Sequence, residues 1–298
     1  MTIVELEMSR MTEWENWPSL CKYLAKQLIR GRLELVLGAG TSAHFGLPTW
    51  KSLIERLYST HGATPSSGTE TVQAEDFRNR YHKNDQAGFV SAVKLALYHD
   101  VKIGFDEMMS HHTLAGILSM LLAAGPGRNA EVVTFNWDNL LERYLSLHGR
   151  VALPVYEEQY WAQVADVTVF HPHGYLPYQD DVTGSRALIF DQLSYDKIMA
   201  KETIWKQVLL ALFRTRTCMF IGLSCTDPHL LALLVQVKEE HASLVNGTLF
   251  WAVTFTTDAA TEERWKERGV YPLILKDYAE LPRRLFDISQ AAIDARST

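Results

Sequence analysis

Cysteine is scarce: the chain has only Cys21, Cys218 and Cys225, and no C-x-x-C pair. A structural zinc site built on four thiolates is therefore excluded, and no disulfide framework is expected, which fits a reducing compartment. Positive charge is in deficit as well. Lys and Arg number 29 against 35 Asp and Glu, a net charge of −6, which argues against a broad nucleic-acid-binding face. No apolar run is long enough to span a bilayer, and the opening stretch MTIVELEMSRMTEWENW is acidic and lacks the apolar core of a secretory signal. Internal repeats and low-complexity tracts are missing too. These absences lead to the expectation of a soluble cytoplasmic protein.

What is present is an ordinary globular balance, with 47% hydrophobic and 21% charged residues over 298 positions. A chain of this length buries most of its apolar surface and folds without a metal or disulfide staple. Helix-period apolar positions run through residues 12–31, and LELVL (33–37) follows as a strand. A helix is expected near Trp50–Tyr58, a loop over 61–71, and mostly helix over 72–124, stopped by Gly-Pro-Gly. Further strands are expected at 131–135, 166–174, 187–190, 217–224, 249–255 and 269–275, with helices between most of them. Near-continuous apolar strands alternating with helices predict a Rossmann-like α/β fold, a mostly parallel sheet with helices on both faces. The helical block at about 60–128 breaks the alternation and reads as an inserted module in a single domain spanning 1–298.

Three strand ends carry unusual residues, where open α/β sheets bind their ligands. The first is Gly38-Ala39-Gly40-Thr41-Ser42. Its glycines permit close approach of backbone N–H groups to a phosphate, and its hydroxyls can cap the next helix or donate to phosphate oxygens. Gly46 lies too far on for G-x-G-x-x-G, and no Gly-Lys-Ser/Thr follows, so a plain tight turn with a helix cap explains the stretch equally well. The second is Asn136-Trp137-Asp138. Asn139 and Glu142 have the spacing of a capping box, which leaves Asn136 to face a ligand, while Asp138 is either a functional acid or a charge favoured at a helix start. The third is Gly222-Leu223-Ser224, followed by Asp227 as cap and Pro228 as first helical residue. Between the last two lies HPHG. Two histidines two apart share one face of a strand, as a metal pair or as core histidines, and His173 before Gly174 suits an exposed general base.

The segments GAGTSAHFGLPTW, TFNWDNLLE, HPHGYLP and FIGLSCTDPHL occur in that order. Together they resemble the sirtuin-like domain of bacterial antiphage defence proteins, over roughly residues 30–275. The resemblance implies hydrolysis of NAD+ to ADP-ribose and nicotinamide, with NAD+ as substrate and no other cofactor. It implies catalytic roles for Asn136 and His173, a phosphate-binding turn from Gly38 through Ala39, Gly40, Thr41 and Ser42, and further cofactor contacts by Asp138, Gly222 and Ser224. The Pro-Asp-Phe-Arg run of protein-deacylating sirtuins is replaced by Pro48-Thr49-Trp50, and their cysteine-ligated zinc is excluded. A peptide substrate is thereby disfavoured, and a deacylase is the weakest alternative; a non-catalytic NAD or ADP-ribose sensor is the stronger one. The chain ends soon after the last expected strand, so no separate sensor domain is expected. Control is then expected in trans, by homo-oligomer assembly or by a partner such as a HerA-type ATPase.

Overall fold

A computed structural model describes residues 14–125, 130–157, 165–179, 184–199, 203–244 and 250–297. The elements in chain order are α1 (Trp17–Ile29), β1 (Leu33–Leu37), α2 (Trp50–Ser59), α3 (Glu70–Tyr81), α4 (Gln86–Tyr98), α5 (Phe105–Met109) and α6 (His112–Ala123). They continue with β2 (Ala130–Thr134), α7 (Leu140–Leu147), β3 (Ala152–Val155), β4 (Val167–Phe170), α8 (Gln192–Met199) and α9 (Ile204–Thr215). The last are β5 (Thr217–Ile221), α10 (Pro228–Leu244), β6 (Ala252–Thr256), α11 (Ala259–Lys266), β7 (Val270–Ile274) and α12 (Leu281–Ser297).

The strands form one seven-stranded sheet in the order β3-β4-β2-β1-β5-β6-β7. β1 pairs with β5 in parallel with Val36 opposite Phe220, and β3–β4, β5–β6 and β6–β7 are parallel as well. Every residue of β1, β5 and β6 is buried, the signature of strands covered on both faces. The expected Rossmann-like α/β architecture is therefore present. The strand order reverses at β1, and the segment leaving β1 is the Gly38–Ser42 turn. Among the described residues no helix is long and apolar enough to cross a membrane.

The chain divides into two compact units. One comprises the residues through Leu37, His111–Val132 and those from Gln207 on. Here α12 packs against α6 and α1. Its Leu281, Leu285, Ile288 and Ala292 are buried at helical spacing, and it lies so close to α6 that a Cβ on Gly116 would stand 2.9 Å from Leu285 Cβ. The other unit comprises Gly38–Ser110 and Val133–Lys206. Its core joins Leu53, Ile54 and Leu57 of α2 to Phe77 of α3, Phe89 and Val93 of α4, Trp137, Leu188 and Phe190.

Several expectations are corrected. The block at 60–128 is not one module: α3, α4 and α5 lie in the second unit, α6 in the first. Residues 187–190 are not a strand, although Leu188 and Phe190 are buried; Ile189 N donates to His173 O at 2.9 Å and Phe190 N to Ser194 Oγ at 2.8 Å. The strand expected over 166–174 stops at Phe170. β3 and α12 were not anticipated. The N-terminal stretch before Trp14 and the Pro126–Gly127 stop lie outside the described residues.

Candidate functional site

Gly38 has φ −138° and ψ −175°, extended backbone open to any residue, so its conformation does not explain the glycine. Its carbonyl is the hub of the turn. It accepts Thr41 N at 2.9 Å, Thr41 Oγ1 at 2.7 Å and Asn136 Nδ2 at 3.1 Å. Residues Ala39–Thr41 wind into a short 3-10 turn closed by Ser42 N to Ala39 O at 3.0 Å. Ala39 and Gly40 are exposed, whereas Thr41 and Ser42 are buried. The two hydroxyls are thus spent inside the protein rather than on a helix cap. Thr41 serves the Gly38 carbonyl, and Ser42 Oγ donates to Asp138 Oδ2 at 2.8 Å. The cap of α2 falls instead to Thr49, whose Oγ1 accepts Ser52 N at 3.3 Å. What the turn offers outward is the backbone at Ala39 and Gly40, whose N–H groups begin the turn and precede its internal bonds.

Asn136 follows the end of β2 and is clasped to this turn. Its Nδ2 lies 3.1 Å from Gly38 O, 3.2 Å from Thr41 Oγ1 and 3.1 Å from Ser42 Oγ. Gly38 O can only accept, so the amide nitrogen faces the turn. The Asn136 Oδ1 takes no hydrogen bond from the described residues. The side chain is partly buried, and its acceptor is left for a ligand or water.

Asp138 is buried and accepts Ser42 Oγ and, at 3.1 Å, Leu140 N. Burial pushes its carboxyl up to about 6, against the pull of those two donors. The helix start at α7 is therefore served by Asp138, and the expected capping box is absent. Asn139 makes no side-chain cap bond. It holds the segment after HPHG instead, donating to Gln179 Oε1 at 2.8 Å and accepting Tyr178 N at 3.0 Å. Glu142 turns to His171, with 2.6 Å between Oε1 and Nε2.

The two histidines do not share a strand face, because β4 ends before them. Gly174 N bonds to His171 O at 3.0 Å and Gly174 has φ +106°, so His171–Gly174 is a turn. His171 is fully buried and also places Nδ1 3.0 Å from Asn136 O. His173 points elsewhere. Its ring packs edge-on to Phe135 at 4.8 Å and to Tyr195 at 5.5 Å, and its carbonyl accepts Trp137 Nε1 at 2.9 Å. The expected exposure of His173 is corrected: the residue is 4% exposed. Both neighbours of Asn136 in the chain, Phe135 and Trp137, therefore touch His173.

The turn, Asn136, Asp138, Glu142, His171 and His173 all belong to the second unit. Gly222 and Ser224 belong to the first. Gly222 has φ +71°, a left-handed conformation that favours glycine. Ser224 is exposed and shares a 2.7 Å hydrogen bond with Thr226. Asp227 Oδ1 caps α10 through Leu230 N at 2.8 Å, with Pro228 in first position, as expected. Among the described residues no group of three or more His, Cys, Asp or Glu is arranged to hold a metal ion. Sequence reasoning missed the work of Glu142 and His171; the signal was present in D-N-L-L-E and H-P-H, but cap spacing and strand period were applied to it.

Residues 130–273 match the model of the SIR2-like domain family. The protein named NAD(+) hydrolase ThsA of Enterococcus faecium is 24% identical over 225 residues, covering 74% of this chain and 42% of that protein. The NAD(+) hydrolase ThsA of Bacillus cereus (strain MSX-D12) is 22% identical over 223 residues, covering 74% of this chain and 43% of that protein. The chain thus spans about two fifths of the length of these relatives. The segment 130–273, which bears Asn136, Asp138, His171, His173, Gly222 and Ser224, is the part of the chain that is similar to the SIR2-like domain family.

Proposed function

We propose that this chain hydrolyses NAD+ at the bond between nicotinamide and ribose, releasing nicotinamide and ADP-ribose. The observation that carries the reading is the clasp of Asn136 on the Gly38–Ser42 turn. It sets one amide acceptor beside an exposed backbone turn suited to phosphate, in a chain similar to proteins named NAD(+) hydrolase. Nicotinamide leaves as a neutral base and needs no proton, so the barrier lies in the cation developing on ribose. Orientation and fixed dipoles address that barrier. The backbone at Ala39 and Gly40 holds the pyrophosphate. Asn136 Oδ1 accepts from a ribose hydroxyl or from the attacking water. His173 takes the proton of that water or hydroxyl. Asp138 keeps Ser42, and through it Asn136, in place. Gly222 and Ser224 are assigned to cofactor contact by resemblance, and no zinc takes part.

In a bacterial cytoplasm this activity depletes NAD+ and serves as the effector of antiphage defence. Such an enzyme needs control, which we assign to assembly of the chain into a homo-oligomer or to a partner such as a HerA-type ATPase. The test is direct. Purified protein is incubated with NAD+, with and without an acylated peptide, and free nicotinamide is measured by chromatography. The expected outcome is peptide-independent release, lowered at least about 100-fold by Asn136→Ala or His173→Ala, with unchanged circular dichroism. Release that needs the peptide, or that persists in both variants, contradicts the proposal, as does ADP-ribose binding without turnover in assembled protein.

A further inference from the structure

Beyond the clasp on its side chain, Asn136 is held a second time, through its main chain. His171 Nδ1 lies 3.0 Å from the Asn136 carbonyl oxygen, and His171 Nε2 lies 2.6 Å from Glu142 Oε1. A carbonyl oxygen only accepts, so the first contact requires a proton on Nδ1. The second contact requires one proton between Nε2 and the carboxylate, because two lone pairs at that distance would repel. Two arrangements satisfy both contacts: an imidazolium beside a carboxylate, or a neutral ring beside a carboxylic acid. In either the pair is neutral overall and Nδ1 carries hydrogen.

We propose that His171 and Glu142 form a proton-sharing pair whose task is to fix the Asn136 backbone, making both of them positioning residues for the reaction assigned above. The proposal rests on that assignment for Asn136. The surroundings fit a fixed device rather than a solvated ion pair. His171 is fully buried, Glu142 is buried with no partner for Oε2 among the described residues, and the Tyr175 ring closes edge-on over the imidazole at 4.8 Å. The β2 end and the start of α7 are thereby tied to the turn that follows β4. The Asn136 side chain has its own anchors on the Gly38–Ser42 turn. Only with both ends held does its Oδ1 keep one direction.

Glu142→Gln and Glu142→Leu separate positioning from packing. A glutamine amide donates to a bare Nε2 and lets a neutral ring keep its Nδ1 proton, whereas leucine fills similar space without a donor. In the nicotinamide-release assay Glu142→Leu is expected to lower kcat about 10–100-fold with KM nearly constant, and Glu142→Gln to recover most of the rate. A rise in KM alone, or equal loss in both variants, overturns the proposal. A readout independent of turnover comes from two-bond 1H–15N spectra of 15N-histidine-labelled protein, with His171→Gln assigning the signal. A protonated Nδ1 is expected in the wild type and in Glu142→Gln; an unprotonated Nδ1 in the wild type overturns the pair. If the wild type releases no nicotinamide, the catalytic reading fails while this spectrum still decides the pair.

Discussion

Two buried carboxylate networks in this chain are built on opposite principles. In the first unit Glu34, in β1 and fully buried, meets Arg216 Nη1 at 2.6 Å, and the same guanidinium reaches Glu131 at 2.5 Å. In the second unit Asp138 is met by a hydroxyl and an amide, and Glu142 by an imidazole. Neither has a Lys or Arg partner among the described residues. Arg143, beside Glu142 in sequence, turns its charge over the Tyr178 ring at 5.1 Å. A permanent cation ties the ends of β1, β2 and β5 together and makes a fixed joint. Groups that share or exchange protons make a site. Even so, burial outweighs Arg216 and raises the Glu34 carboxyl to about 8, while Arg216 is itself raised by its two carboxylate partners in spite of burial.

Removing the cation is the strongest way to break this contrast. Arg216→Ala leaves the Glu34 carboxyl buried, protonated and without its hydrogen-bond donor, and is expected to cost about 1–3 kcal/mol in denaturant unfolding at pH 7. A loss below about 1 kcal/mol would make the joint dispensable and erase the difference between the two networks.

Asp138→Asn sharpens the same contrast from the other side. The folded carboxyl lies near 6, above its ordinary 3.8, so the folded state binds the proton more tightly than the unfolded chain does. Its contribution to stability is therefore greatest at low pH and falls as pH rises from about 4 to about 6, then stays level. The variant lacks that fall. At pH 7 it is expected to be more stable than the wild type by up to about 3 kcal/mol, with the gap closing below pH 4. Thermal unfolding across pH 3.5–7.5 checks this, and a gap that widens on acidification refutes the sign. Because Asp138 orients Ser42, the same variant should release nicotinamide more slowly, the gain in stability accompanying a loss of function.

The smallest effect concerns the turn that separates the histidines. A Cβ at Gly174 would stand 2.8 Å from Leu188 Cδ2 and 3.1 Å from Ala187 O, at φ +106°. Gly174→Ala is expected to cost about 1–3 kcal/mol, readable as a lowered unfolding midpoint. An unchanged midpoint would show that the turn has slack and that His171 and His173 are not held apart by it.

Much of this architecture was legible in the residues. LELVL is the strand β1 to the residue, because a short apolar run ended by Gly38 leaves little choice. β3 escaped notice because Ala152–Val155 is short, half-buried and contains Pro154, which an edge strand tolerates. α12 carries a plain helical period, with Leu281, Leu285, Ile288 and Ala292 on its buried face. Residues 187–190 misled because apolar side chains bury equally well in a segment without a ladder. At the site, the glycine turn, Asn136 and HPHG lie together in the second unit, but their spacing does not give the bonds between them. Thr41 and Ser42 looked like phosphate donors and proved to be internal struts, and Glu142 looked like a cap and proved to be a partner of His171. Periodicity reports which face is buried; it does not report which buried polar groups meet across separate segments.

The central claim is that the Gly38–Ser42 turn and Asn136 hold one dinucleotide. A crystal structure of the Asn136→Ala variant soaked with NAD+ tests it most directly. The account predicts the pyrophosphate against the backbone of Ala39 and Gly40, with the nicotinamide ribose beside position 136. A dinucleotide bound away from that turn, or one whose nicotinamide ribose lies remote from both position 136 and His173, would contradict it.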